Sequence, residues 1–140
     1  MVKNNLIFWF KKCAKFESVI NLQQMGMIEL EGMEFYAFHG HFKSERIVGN
    51  RFEVNVSIET DCEKAAMSDH LSDALNYEGI YKLIKEEMHQ RSHLLENVAG
   101  RILTRIHDEY KNLGKVRVKI SKAGPPMGGH IKAVSVTMER

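Results

Sequence analysis

The stretch Val116-Arg-Val-Lys-Ile-Ser-Lys-Ala-Gly-Pro-Pro126 constrains this chain more than any other. Val116, Val118 and Ile120 alternate with Arg117, Lys119 and Ser121, the period-two pattern of a strand with one buried face. The same alternation puts Lys122 on the apolar side, where the strand stops. Gly124-Pro125-Pro126 then enforces a turn, because proline lacks the ladder donor and restricts the residue before it. A lysine is thereby delivered to the rim of a core, beside a stiff bend. Desolvation at such a place disfavours a lysine's charged form, as acid–base lysines require. The structural alternative is a lysine that leaves the strand end and snorkels to water.

With 140 residues, 44% of them hydrophobic, the chain suits one ordinary domain with a real core. A formal net charge of +2, evenly spread, argues against nucleic acid as the main partner. Cys13 and Cys62 form neither a CxxC pair nor a dense framework, so a reducing cytoplasm is the expected compartment. No apolar run approaches the ~18 residues of a membrane span.

Residues 1–26 read differently from the rest of the chain. Leu6-Ile-Phe-Trp-Phe10 is too short for the apolar region of a signal peptide, and Lys11-Lys12 comes at once after it. Leu6, Trp9, Phe10, Cys13 and Ile20 keep roughly one helical face, so a basic amphipathic helix at a membrane surface is one reading. The favoured reading is an appendage outside the domain, from an upstream start codon, since Met25 and Met27 stand where the ordered pattern begins.

Met27 to His39 has the pattern of a first strand, with a phase break at Gly32 that suits a bulge. Phe42 to Asn50 reads as a polar loop, with turn chemistry at Gly49-Asn50. Phe52 to Asp61 is a second strand, antiparallel to the first. Cys62 to Asn76 is a polar connection, with one helical turn around Glu63–Met67. Tyr77, Ile80, Tyr81, Ile84 and Met88 mark a helix over about 76–89, and Val98, Ala99, Ile102, Ile106 and Tyr110 a second over about 95–110. Gly114 is a natural stop after it. The organising strand comes next, and Ala133 to Arg140 is the last. The order strand, strand, helix, helix, strand, strand predicts an α+β domain: a four-stranded antiparallel sheet with two helices on one face. Its edge strands would be left unpaired unless copies join edge to edge, so an oligomer is expected.

Five segments together give a resemblance. They are Gly32-Met-x-Phe-Tyr-x-Phe-His-Gly40 with Glu45 five residues on, Asn76-Tyr77, Leu94-Leu-Glu-Asn97, Lys119-Ile-Ser-Lys-Ala-Gly-Pro-Pro126, and Gly129-His130. In one colinear pass over residues 27–140 the chain resembles bacterial dihydroneopterin aldolase. The resemblance implies the tunnelling fold, in which protomers pair edge to edge into a barrel of four subunits or two stacked fours. It implies a retro-aldol step of folate biosynthesis: 7,8-dihydroneopterin gives 6-hydroxymethyl-7,8-dihydropterin and glycolaldehyde, with epimerisation at C2′ as a companion reaction. The substrate's ring C=N bond is its own electron sink, so neither a lysine Schiff base, a metal nor any other cofactor is required.

Position by position, the resemblance makes Lys122 the catalytic lysine that handles protons at the side-chain hydroxyls, through water. Tyr77 becomes the catalytic tyrosine that can donate to the enamine carbon. Glu45 is the acid that orients the lysine, and Glu96 the carboxylate that anchors the pterin, with backbone groups near Leu95 completing recognition. Tyr77 would come from the neighbouring subunit, which puts the site at an interface. Each has a structural alternative: Tyr77 as core, Glu96 as a carboxylate favoured by the helix dipole, Glu45 as a solvated loop residue.

Three other functions compete. His39-Gly40-His41 invites zinc, as in the related 6-pyruvoyl-tetrahydropterin synthases. A catalytic site needs three protein ligands, however, and no histidine precedes the triplet to supply the first. A dihydroneopterin-triphosphate 2′-epimerase would gather extra cations at the site mouth, for which Lys43, Arg46 and Arg51 are candidates. A non-catalytic pterin- or purine-binding ring would keep Glu96 but need neither Lys122 nor Tyr77.

Overall fold

The computed structural model describes residues 25–140. The amphipathic-helix reading of the N-terminus falls outside them. Four strands, β1 (Met25–Ala37), β2 (Asn50–Asp61), β3 (Val116–Ala123) and β4 (Ala133–Glu139), form one sheet in the order β1-β2-β3-β4, every neighbouring pair antiparallel. The alternation in β2 and β3 sends Phe52, Val54, Val56 and Ile58 together with Val116, Val118 and Ile120 to one face, all buried. Two helices cover that face: α3 (Tyr77–His89) and α4 (Leu95–Glu109). They contribute Ile80, Leu83, Ile84 and Met88, and Val98, Ala99, Ile102, Leu103 and Ile106, to the same core. The opposite face carries Glu53, Asn55, Arg117 and Lys119, and among the described residues no helix covers it. The α+β architecture is therefore the one the patterning predicts.

The phase break at Gly32 is a bulge. Leu30 pairs with Val56 but Met33 with Val54, a one-residue shift. Gly32 takes a positive φ of 64°, and its N–H donates to Asn55 Oδ1 at 2.7 Å. Without the shift, Met33 and Ala37 would face away from the core they help to build.

Two expectations are corrected. The polar stretch between β1 and β2 is not all loop: Lys43–Val48 forms a short helix, α1. The Glu45 carboxylate accepts the Phe42 N–H at 3.2 Å, and Gly49, with φ 78°, closes the helix by donating to the Glu45 carbonyl at 2.9 Å. None of the six residues of α1 is buried, so no apolar periodicity advertises it. The second correction concerns α3. Tyr77 and Tyr81 are 57% and 40% exposed, while Leu83 and Glu87 take buried positions. The buried stripe runs 80-83-84-87-88, and the two tyrosines lie on its flank.

The connection from β2 to α3 contains α2 (Glu63–Ser68) and a 3₁₀ turn (Leu71–Asp73). Among the described residues no helix is long and apolar enough to cross a membrane.

Candidate active site

Lys122 stands in register between Phe52 of β2 and Val134 of β4, at the end of β3. The alternation that buries Val116, Val118 and Ile120 buries it too, to 8% exposure, so it does not snorkel outward. Gly124, at φ 47°, bends the chain just beyond and donates its N–H to the Lys132 carbonyl at 2.9 Å. The Lys122 ammonium makes an ion pair and hydrogen bond with the Glu45 carboxylate. Its Nζ also lies 3.5 Å from the His39 carbonyl oxygen and 5.9 Å from the centre of the Phe52 ring.

Glu45 reaches this position because α1 forms and because residue 40 is glycine. A Cβ on Gly40 would collide with the Glu45 side chain. Burial pushes the Glu45 carboxyl up. The hydrogen bonds from Lys122 and the Phe42 N–H, with the charges of Lys122 and His41, outweigh that and hold it below the usual carboxylate value. The pair is thus a fixed carboxylate presenting a fixed amine, shielded from bulk water and able to exchange protons with a hydroxyl placed against it.

The floor beneath is built from residues whose roles the sequence does not reveal. His39 is 1% exposed, and its ring meets Phe52 edge-on at 5.2 Å. Ser92, between α3 and α4, donates its N–H to His39 Nδ1 at 3.2 Å, and its carbonyl accepts the Gly40 N–H at 3.0 Å. Arg101 of α4 holds Ser92 in turn. Its guanidinium donates to Ser92 Oγ, to Asn97 Oδ1 at 2.6 Å, to Glu87 Oε2 at 2.7 Å, and to the carbonyls of Glu87 and Gln90 at 2.9 and 3.1 Å. One arginine therefore ties the end of α3, the linker and α4 to the segment carrying the Lys122 acceptor. A serine in a polar helix break gives no sequence signal of such a role.

Burial, the nearby Arg101 and Lys122 charges, and only partial opposition from the Met88 backbone lower the His39 pKa to about 4. An unfolded histidine takes up its proton near 6.5. Between these values the unfolded chain binds more protons, so folding stability is expected to fall as pH drops from about 6.5 to 4. Urea denaturation across that window checks this, and His39→Gln should flatten the slope whatever its effect on absolute stability. An unchanged slope would place the titration elsewhere. The Glu45 contribution has the same sign but is lost in the more acidic range, below the ordinary carboxylate value.

The other candidates are distributed differently. Leu95 and Glu96 open α4. Leu95 packs against the core, whereas Glu96 is exposed in a shallow cleft with Gln90, Asn97, Gly100 and Arg101, and has no hydrogen-bond partner among the described residues. Tyr77 opens α3 behind the Asn76 cap, whose Oδ1 accepts the Gly79 N–H at 3.0 Å. It lines a cleft with Leu71, Ala74, Leu75 and Glu78 that includes none of Lys122, Glu45 or Glu96. One copy of the chain thus brings Lys122 and Glu45 together and leaves Tyr77 apart. His39 is buried and His41 exposed, and no three His, Cys, Asp or Glu side chains cluster as a metal site among the described residues.

Comparison with known proteins places this geometry in context. The family model described as FolB: Dihydroneopterin aldolase matches residues 28–139. Dihydroneopterin aldolases of Streptococcus pyogenes, serotypes M18 and M1, are each 34% identical over 117 residues, covering 83% of this chain and 98% of the relative. The crystal structure of Escherichia coli dihydroneopterin aldolase in complex with neopterin superposes with a TM-score of 0.76 at 26% identity, over 83% of this chain and 99% of that one. A Burkholderia dihydroneopterin aldolase bound to guanine shares the fold, with a TM-score of 0.68 at 18% identity, over 87% and 95%.

Proposed function

We propose that this chain, which belongs to the dihydroneopterin aldolase family and has that activity in folate biosynthesis, carries out its retro-aldol step through the buried pair of Lys122 and Glu45. The observation that carries this reading is the pair itself: a lysine 8% exposed, held by a carboxylate that a dedicated short helix supplies. All the groups invoked lie within residues 27–140, which we take as the catalytic domain, with residues 1–26 an appendage to it.

The substrate's C1′–C2′ bond must break heterolytically. With its amine unprotonated, Lys122, oriented by Glu45, takes the proton of the 2′-hydroxyl through a water and becomes the ammonium, and C2′ leaves as the aldehyde carbon of glycolaldehyde. The bonding electrons move into the ring imine, giving an enamine. Tyr77 of a second copy protonates the enamine carbon, and 6-hydroxymethyl-7,8-dihydropterin results. Re-addition to the other face of the aldehyde before it escapes would give the C2′ epimer. Because the imine accepts the electrons, neither a Schiff base nor a Lewis acid has work to do in this sequence.

Glu96 supports pterin anchorage. Neopterin in the Escherichia coli complex and guanine in the Burkholderia one share an amino-pyrimidinone edge. Two donors on that edge suit the two oxygens of an unpartnered carboxylate, with the backbone at Leu95 beside it. The exposed position of Tyr77, next to the exposed Leu71 and Tyr81 and away from Lys122, supports a site completed by a second subunit of a tetramer or octamer.

Incubation of the purified protein with 7,8-dihydroneopterin and a strong chelator tests the chemistry. Glycolaldehyde should appear at the same rate with and without the chelator. Release that stops under chelation and returns with added zinc would replace this mechanism with a metal-assisted one.

A further inference from the structure

Beside the catalytic pair lies a cleft of about 440 Å³ lined by Lys43, Arg46, Ile47, Arg91, Ser92 and His93. No carboxylate lines it. The nearest one along the chain, Glu45, is already engaged by Lys122 and the Phe42 N–H. Among the described residues Lys43, Arg46 and Arg91 have no acidic partner, whereas Arg101, Arg105 and Arg117 all do. Arg91 instead lies over the Phe38 ring at 5.5 Å. Arg46 Nη1 lies 3.3 Å from His93 Nδ1. A guanidinium can only donate, so Nδ1 accepts, and the neutral ring carries its proton on Nε2 as one more donor. Three cations and a donor thus converge with nothing to neutralise them, an arrangement that an anion relieves.

The position of the cleft selects the anion. Lys43, Arg46 and Ile47 share a face of α1 by their i, i+3, i+4 spacing, next to the face that sends Glu45 to Lys122. Ser92 lines the cleft and also holds His39 and Gly40 under the catalytic pair. If Lys122 marks the 2′-hydroxyl, as proposed above, the next carbon of the substrate side chain bears the terminal 3′-hydroxyl. We infer that this cleft is a phosphate subsite, and that the enzyme accepts dihydroneopterin carrying a phosphate ester on that terminal hydroxyl. Arg51, a third cation flagged by sequence, does not line the cleft, while Arg91 and His93 join it.

The chemistry balances without a co-reactant. The 2′-hydroxyl proton passes to the Lys122 water, the C1′–C2′ bond breaks into the ring imine, and the enamine carbon regains a proton. No P–O bond is touched, and the second product is glycolaldehyde phosphate in place of glycolaldehyde.

The test compares kcat/KM of the intact oligomeric enzyme for 7,8-dihydroneopterin and its 3′-phosphate, each with and without inorganic phosphate. The ester should be preferred at least about tenfold, the scale of a charge-assisted contact. Arg46→Gln and Arg91→Gln should each lower the ester-to-alcohol ratio by about the same factor, and inorganic phosphate should compete with the ester far more than with the alcohol. A ratio near one, or a preference that neither substitution changes, would overturn the subsite. So would inorganic phosphate that binds saturably without any ester preference, which would mark a site for a free anion. Failure of the underlying mechanism looks different: neither substrate is cleaved, yet the ester still binds more tightly through Arg46 and Arg91.

Discussion

Replacing Lys122 with alanine is expected to lower kcat/KM for dihydroneopterin cleavage by about a thousandfold to ten-thousandfold, the upper part of the range for removing a positioned acid–base group. The size follows from how completely the fold commits this side chain. Lys122 is the last inward position of β3, and its ammonium meets Glu45 and the His39 carbonyl in a place nearly closed to solvent. Water entering the vacated space would not be held by a carboxylate and a carbonyl in the geometry that receives the 2′-hydroxyl proton. The substitution also removes the Lys122 hydrogen bond and charge that help hold the Glu45 carboxyl low, leaving the Phe42 N–H and His41 against the effect of burial, so the carboxyl should rise and some stability should be lost. Lys122→Met with Glu45→Gln removes the charge imbalance while filling the volume, and it should be as inactive as the single variant but better folded. Pterin binding, measured by fluorescence titration with neopterin, should survive in both, since the proposed anchor Glu96 and the start of α4 are untouched. Normal turnover by either folded variant would remove Lys122 from the mechanism.

How much of this is legible in the sequence depends on whether the determining interaction is local. The strands and two main helices are readable because each buries one face of a regular element, and burial of Val116, Val118 and Ile120 carries Lys122 inward by simple alternation. The bulge is readable because it breaks that alternation. The helix α1 is not, because nothing on it is buried; it is held by a carboxylate cap and a glycine. The exposure of Tyr77 is hidden for a related reason. Two residues at helical spacing fit a buried stripe as well as its flank, and only the angle at which α3 meets the sheet decides between them. The pairing of Glu45 with Lys122 spans 77 positions of sequence. No periodicity reports it, and only the family resemblance places the two together. The Arg101–Ser92–His39 support is invisible on both counts, being polar and non-local.

Tyr77 gives the sharper test of where the site lies. Tyr77→Phe deletes one hydroxyl from an exposed ring, so it should leave folding intact and lower cleavage by about a hundredfold to a thousandfold. The decisive experiment mixes this variant with Lys122→Ala, each with at most about 1% of wild-type activity alone, under conditions that dissociate and reassemble the proposed oligomer. If each site takes Lys122 from one copy and Tyr77 from its neighbour, a site is whole only when a Tyr77→Phe copy supplies the lysine and a Lys122→Ala copy supplies the tyrosine. Random assembly at equal amounts makes about one site in four complete, so about a quarter of wild-type activity should return. If both residues acted within one copy, every site would lack one of them and the mixture would stay inactive. Recovery should depend on subunit exchange, absent when the two variants are mixed without dissociation. Under the proposed mechanism, the first outcome is expected, because within one chain the Tyr77 phenol is on the surface and lines a different cleft from the Lys122–Glu45 pair.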